Sequence, residues 1–314
     1  METMNPDPTV SVCMVTYNQE AFIDEAIRGV LMQKECIFEL VIADDHSTDG
    51  TLAICKRYQE EYPGVIRIIE QKENKGVVGN TKDCLLACKG KYIAVCEGDD
   101  YWIDEYKLKK QAAVLDQHPD VSLVHTSWVN FIQSTGEMRD RLLTEEDSIC
   151  VRQGGQQSVA EIMAMHYYGI RLSSVCFRGD ILREACEKDP DMFSAHFSTC
   201  DIGLFYVMAY HGRLWRMLEK TLVYRMQDES VSMTSNRERA VRYTLGCLYI
   251  KVHFARRYRI HHKVMQPILR PTFYLLCDYA FRCHDRNLLR EVRSLAREIK
   301  YKPSLGQRVK MMLT

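Results

Sequence analysis

At 314 residues the chain is long enough for a full hydrophobic core and one added subdomain. With 46% hydrophobic and 27% charged residues, 16 Gly and 8 Pro, the composition excludes a disordered or low-complexity protein, and no apolar run reaches the ~18 residues of a membrane-spanning helix. The net charge of zero hides a division: residues 237–314 carry 18 Lys/Arg against 5 Asp/Glu, leaving 24 against 37 in the first 236, so an acidic body adjoins a basic tail.

Residues 1–9 are polar and contain proline, without the charged-then-apolar pattern of a signal peptide. Residues 10–17 are continuously apolar enough to predict a buried strand. Asn18, Gln19 and Glu20 then turn into a helix over about 22–34, with Phe22, Ile23, Ala26, Ile27, Val30 and Leu31 on one face. A second strand, 39–43, ends on Asp44 and Asp45. Ser47 or Thr48 is the expected cap of a helix running to about Tyr62, where Pro63 and Gly64 stop it. A strand over 65–69, a loop holding Asn74, Lys75 and Gly76, a helix over 78–89 closed by Gly90, and a strand over 92–96 follow. A helix over 105–117 leads to a strand over 121–125. The polar stretch 133–157 reads as an active-site loop. Beyond it the pattern predicts a helix over 158–166, a strand over 171–177, helices over 181–187 and 202–210, and short strands over 214–218 and 221–225. From about Arg237 it is helical, with breaks near Pro267, Pro271 and Asp285. The 13 cysteines show no CxxC or zinc spacing; Cys84 and Cys88, four apart on one helix, read as buried free thiols of a cytoplasmic protein.

This alternation of strand and helix is that of an α/β protein, a mostly parallel sheet with helices on both faces. Functional groups of such a sheet belong at strand C-terminal ends, where Tyr17, Asp44, Asp45, Glu97, Asp99 and Asp100 stand. Carboxylates gathered on one rim repel and raise each other's pKa unless a cation joins them. Carboxylate oxygens suit Mg²⁺ or Mn²⁺, and those ions suit a diphosphate. Taken alone, residues 96–102 also fit an acidic turn ahead of the next helix. No Gly-rich phosphate loop follows the first strand, which argues against a dinucleotide-dependent oxidoreductase and against a sugar nucleotidyltransferase.

Four pieces in this order resemble the family 2 glycosyltransferases: residues 12–18 with Glu20, residues 41–51 (VIADDHSTDGT), Asn74 to Asn80, and the EGDDYW of 97–102 at the place of the family's metal-binding DxD. The resemblance covers about 10–232. It implies a GT-A (Rossmann-like) domain over 1–235, with a nucleotide-sugar half of about 10–130 and an acceptor half of about 131–235, followed by a basic helical region over 236–314. It implies an inverting, metal-dependent enzyme that moves a sugar from a nucleotide-sugar, by expectation a UDP-sugar, to a glycan or lipid-linked acceptor, as in bacterial cell-envelope or capsular polysaccharide synthesis. Residue by residue, it implies that Thr16, Tyr17 and Glu20 border the nucleotide, that Asp44 or Asp45 accepts a hydrogen bond from the base, and that Asn74, Gly76 and Asn80 belong to the same donor site. Asp99, with Asp100, would bind Mn²⁺ or Mg²⁺ beside Glu97 and Gly98. Arg225 would neutralise diphosphate charge, or be a strand-end surface arginine. Glu97 stands where many members have Asp, and Gln227 where many have His. Asp201, at the start of a helix, is the expected base, or else a first-turn acid, with Asp191 as fallback. Ser173 to Arg178 resembles an acceptor-side segment. Trp102 and Trp128 read as packing residues, Trp102 alternatively as a sugar-stacking wall. His125, His166, His196 and His211 read as core or surface residues.

Residues 287–300 are amphipathic, with a stripe of Leu288, Leu289, Val292, Leu295, Ala296 and Ile299 and arginines on the remaining face. They fit a peripheral attachment to an anionic cytoplasmic leaflet, or a core-packing helix with a solvated basic face. No nucleic-acid motif is present; a homo-oligomer is compatible with the sequence. The rival from another class is a catalytically silent binding or scaffold protein of the same fold.

Overall fold

The computed structural model describes residues 8–140, 153–164, 169–227 and 234–304. Residues 1–7, part of the expected 133–157 loop, His166 and the 228–232 end of the late segment lie outside them. Among the described residues the order is β1 (Val10–Thr16), α1 (Ile23–Leu31), β2 (Phe38–Asp44), α2 (Thr51–Glu61), β3 (Ile66–Glu70), α3 (Gly76–Ala87), β4 (Tyr92–Val95) and β5 (Tyr101–Trp102). Then come α4 (Lys107–Gln117), β6 (Val121–Ile132), β7 (Glu137–Asp140), α5 (Gln156–Ala164), β8 (Cys176–Arg178), α6 (Gly179–Lys188), α7 (Asp201–His211) and β9 (Arg213–Met226). Three helices close the chain: α8 (Arg237–Arg257), α9 (His262–Arg282) and α10 (Arg286–Glu298).

All strands join one sheet in the order β3-β2-β1-β4-β8-β6-β9-β5, with β7 hairpinned onto β6. The β3-β2-β1-β4 block and the long β6/β9 pair are parallel, so most paired residues are parallel; β8, β7 and β5 pair antiparallel. β1, β2 and β4 are covered on both faces, which is why they read as unbroken apolar runs. Val10, Val12 and Met14 point into a core shared with α1, α2 and α4, while Cys13 points into a second core shared with α3 and α5 to α10. Cys84 and Cys88 are buried in that second core, with Cys84 Sγ 3.3 Å from the Val41 carbonyl and Cys88 Sγ 3.3 Å from the Cys84 carbonyl.

Several expected elements differ. α2 begins at Thr51 rather than after a Ser47 or Thr48 cap, because the 47–49 turn is tied sideways. Asn18 takes the Thr48 N–H, Ser47 Oγ takes the Asn18 N–H, and Asp49 takes the Thr51 N–H and the Glu20 N–H. Residues 171–177 are not one strand: Leu172–Ser174 form a 3₁₀ turn ahead of β8, because the Ser174 hydroxyl and N–H both donate to the Arg171 carbonyl. Residues 214–225 form one strand whose irregularities against β6 absorb the break between the two runs. Pro267 and Pro271 do not end α9, since its buried face (Met265, Ile268, Leu269, Phe273, Leu276, Cys277 and Ala280) holds the helix through both.

The basic region is fastened to the body. α8 packs on α7, and the α10 stripe of Leu288, Leu289, Val292, Leu295 and Ala296 is buried in the same core as Phe205 and Val207. No helix among the described residues is long and apolar enough to cross a membrane.

Candidate active site

The parallel register places Thr16, the last residue of β1, opposite Asp44, the last of β2. Asp44 is fully buried: Oδ2 accepts the Ser47 N–H at 2.9 Å, and Oδ1 has no partner among the described residues. Asp45 donates its N–H to the Thr16 carbonyl and takes the Lys75 N–H on Oδ1 at 2.7 Å. The loop after β3 is drawn onto this edge. Asn74 Nδ2 donates to the Asp45 carbonyl, Asn80 Nδ2 to the Ala43 carbonyl at 2.8 Å, and Gly76, at φ +73°, gives its N–H to Asn74 Oδ1. Glu20 Oε2 accepts the Gly50 N–H at 2.9 Å, bracing the β1 turn against the β2 loop, and Tyr17 stands at the rim, 46% exposed.

Gly98 enters the same edge beside β1, its N–H on the Val15 carbonyl at 3.0 Å. A Cβ there would lie 2.3 Å from Gln19 Oε1 and 3.0 Å from Thr16 Oγ1, so any larger residue has to displace the Gln19 side chain. Those two oxygens are buried and have no partner among the described residues. Asp99 Oδ2 accepts a hydrogen bond from Gln227 Nε2 at 3.0 Å, so the glutamine found in place of the expected histidine reaches the acid directly.

Asp100 faces inward at 2% exposure; Oδ1 accepts the Arg225 N–H at 2.9 Å and Oδ2 has no partner among the described residues. Ser173 Oγ accepts the Glu97 N–H at 3.0 Å and favours the charged form of Asp100, so the 3₁₀ turn bears on both acids. The turn is itself anchored below. Trp102 Nε1 donates to the Ser173 carbonyl, and Lys107 Nζ and Gln111 Nε2 donate to the Ser174 carbonyl. Trp102 is therefore a buried anchor and not a sugar-stacking wall. Burial pushes the Lys107 ammonium down to about 8.

Asp201 opens α7 and takes the Thr199 hydroxyl (2.5 Å) and the Ile202 N–H (2.7 Å) on the same oxygen, Oδ1. Asp201 lies close enough to Glu97 for their charges to interact. Burial, then Asp100, Asp99 and Asp201, push Glu97 well above the usual carboxylate range. Burial raises Asp99 and Asp201 likewise, and burial with Asp99 pushes Asp100 up to about 7. Two arginines offset them: Arg225 favours the charged form of Asp99, and Arg171, with its guanidinium 4.0 Å from the centre of the Tyr224 ring and 5.5 Å from that of Trp128, favours the charged forms of Glu97, Asp100 and Asp201. Sequence reasoning missed Arg171, which it read as the first residue of a strand; an arginine just ahead of two serines in an otherwise apolar run was the available signal.

Arg225 does not open onto this rim as an unengaged cation. Nε donates to the Asp99 carbonyl, Nη1 to Gln133 Oε1 at 3.0 Å and Nη2 to Glu25 Oε2 at 2.7 Å, so it clamps the acidic turn to α1 and β9. Asp191 is exposed in the turn after α6. His196 stacks on Tyr249, His211 bonds the Val207 carbonyl within α7, and His125 is buried in β6.

A sequence profile described as glycosyl transferase family 2 matches residues 11–174. An uncharacterized protein of Mycobacterium tuberculosis is 46% identical over 115 residues, 36% of this chain and 33% of that protein, so the chain matches about a third of this relative's length. The poly(ribitol-phosphate) β-N-acetylglucosaminyltransferase TarS of Staphylococcus aureus is 33% identical over 124 residues, 38% of this chain and 21% of TarS. The fold of this chain is similar to residues 1–349 of TarS in complex with UDP-GlcNAc (TM-score 0.64, 17% identity, 93% of this chain and 81% of that one). It is also similar to the mannosyltransferase PcManGT of Pyrobaculum calidifontis in complex with GDP-Man and Mn²⁺ (TM-score 0.55, 18% identity, 98% and 79% covered).

Proposed function

Since the chain belongs to glycosyl transferase family 2, we propose that it transfers one sugar from a UDP-sugar to a hydroxyl of a glycan or lipid-linked acceptor of a bacterial cell envelope or capsule, with inversion at the anomeric carbon. The observation that carries this reading is the meeting of Asp44, Glu97, Asp99, Asp100 and Asp201 along one edge of the sheet, with buried acceptor oxygens left without partners among the described residues. The UDP-GlcNAc complex of TarS supports the choice of UDP.

Asp44 Oδ1 is a buried acceptor suited to the N3–H of uracil, and a partner there relieves the cost of an unpaired buried oxygen. Thr16 Oγ1 and Gln19 Oε1 offer hydrogen bonds to the ribose, with Tyr17 at the rim beside the base. Glu20, Asp45, Asn74, Gly76 and Asn80 fix the two loops that shape this pocket.

Among the described residues no three His, Cys, Asp or Glu side chains form a ready metal cage. A Mg²⁺-type site needs less, since such ions are commonly held by one or two carboxylates, substrate phosphates and water. The acids here fit: Glu97, Asp99 and Asp100 are each raised by burial, and Asp100 Oδ2 has no partner among the described residues. Asp99, with Asp100, would hold Mn²⁺ or Mg²⁺, which when bound neutralises the departing diphosphate. The Mn²⁺ complex of PcManGT supports this assignment.

Asp201 is the base. Thr199 and Ile202 orient its carboxylate through Oδ1 and leave Oδ2 to take the acceptor proton as the hydroxyl attacks from behind the leaving group. Burial shifts it upward, toward the working pH, while Thr199, Ile202 and Arg171 favour its charged form. Arg225 positions Asp99 and Asp100. Nucleoside-diphosphate release from a panel of UDP-, GDP- and dTDP-sugars, with and without Mn²⁺, tests the reading, together with the anomeric configuration of the product by NMR. Metal-dependent turnover of a UDP-sugar with inversion is expected. Preference for GDP- or dTDP-sugars, or retention of configuration, overturns it.

A further inference from the structure

α9 is apolar on two sides, and among the described residues only one of them is covered. Met265, Ile268, Leu269, Phe273 and Leu276 face the core, but Val264, Tyr274 and Leu275 are 42%, 55% and 48% exposed. Pro267 and Pro271 are exposed as well, and the spacing 264, 267, 271, 274/275 makes a single outward stripe. Cations border it. Lys263 and Arg270 are exposed on the same helix, and Gln266 Nε2 donates to the Lys300 carbonyl, which brings the exposed Lys300 and Lys302 alongside its first turns. Burial and the neighbouring His261, Lys263, Lys300 and Lys302 hold the His262 imidazole below its usual range. The one acid of the helix, Asp278, is paired with Arg282 at 2.8 Å.

We infer that the outward face of α9 is a membrane-contact surface that seats on an anionic lipid bilayer, with Val264, Pro267, Pro271, Tyr274 and Leu275 at headgroup depth and Lys263, Arg270, Lys300 and Lys302 against lipid phosphates. Three observations favour lipid over other occupants. A second copy docked face to face sets the same cations against each other, which like charges oppose. The cations flank one side of the apolar stripe on a region carrying 18 Lys/Arg against 5 Asp/Glu, which is charge complementarity to an anionic leaflet. The two prolines remove N–H donors, leaving the Lys263 and Pro267 carbonyls without their helical partners; such groups are tolerated among hydrated headgroups but not in hydrocarbon. The contact element is thus α9, and not the α10 stripe, which is already buried. This inference is independent of the transfer chemistry.

The test is co-sedimentation of the full chain with phosphatidylcholine vesicles and with 1:1 phosphatidylcholine/phosphatidylglycerol vesicles. Two exposed-site variants, V264D/L275D and K263E/R270E, are compared, with thermal melts to confirm folding and light scattering to read the oligomeric state. Binding to the anionic vesicles is expected, weakened by salt, and at least about tenfold lower for either variant and for neutral vesicles. No vesicle binding by the native chain, equal binding to neutral vesicles, or variants that bind as the native chain does would each overturn the inference. So would loss of a dimer on V264D/L275D substitution, which assigns the face to a second copy.

Discussion

Asp100 sets the electrostatic character of the site at the scale of a single residue. Its carboxyl, pushed up to about 7 by burial and by Asp99, binds a proton more readily in the folded protein than in the unfolded chain. A group raised in this way contributes stability as pH falls through about 7 toward the ordinary carboxylate value, and loses it as pH rises. Asp100→Asn keeps an oxygen for the Arg225 N–H and removes the titration. In the absence of added metal, the melting temperature of the native protein should therefore rise relative to D100N on going from about pH 8 to about pH 5.5. A gap that does not move with pH contradicts the assignment. The same scale explains what the sequence hid. Asp44, Asp99 and Asp201 were legible because acids at strand and helix ends stand out against apolar runs. The inward turn of Asp100, the clamp made by Arg225 and the placement of Arg171 depend on partners far along the chain, such as Arg225 for Asp100, Glu25 for Arg225 and Tyr224 for Arg171, which local patterning does not encode.

At the scale of elements, the strand–helix alternation from β1 to α4 was readable because β1, β2 and β4 are buried on both faces and the helices between them turn an apolar side to the sheet. The 171–177 stretch was not: Ser174 bonds backward to the Arg171 carbonyl and makes a turn where β-branched and apolar residues suggest a strand. The α9 prolines misled for the opposite reason, since tertiary packing outweighed a local preference. Packing between α8 and the turn ahead of α7 carries a prediction. A Cβ at Gly246 would lie 1.8 Å from Ser198 Oγ and 2.7 Å from the Ser198 nitrogen, so the main chain must shift. That turn also carries Thr199 and Asp201. Gly246→Ala should cost about 1–3 kcal/mol in a denaturant melt and lower kcat at least about tenfold, from a site whose side chain touches no substrate. Unchanged kcat in a folded variant would show that α8 does not position the base.

For the molecule as a whole, the sheet gathers the ends of β1, β2 and β4 and the loop after β3 on one edge, α7 carries Asp201, proposed above as the base, and the C-terminal helices complete the core behind α7. The account stands on Asp99 and Asp201 serving one reaction from separate elements. The most direct measurement is nucleoside-diphosphate release from the preferred UDP-sugar with Mn²⁺ and acceptor, for the native chain, Asp99→Asn and Asp201→Asn, each checked for folding by thermal melt. Both variants should fold and lose about a hundredfold or more in kcat, with Asp201→Asn leaving the donor KM nearly unchanged. A folded Asp201→Asn enzyme that turns over at the native rate would contradict the account.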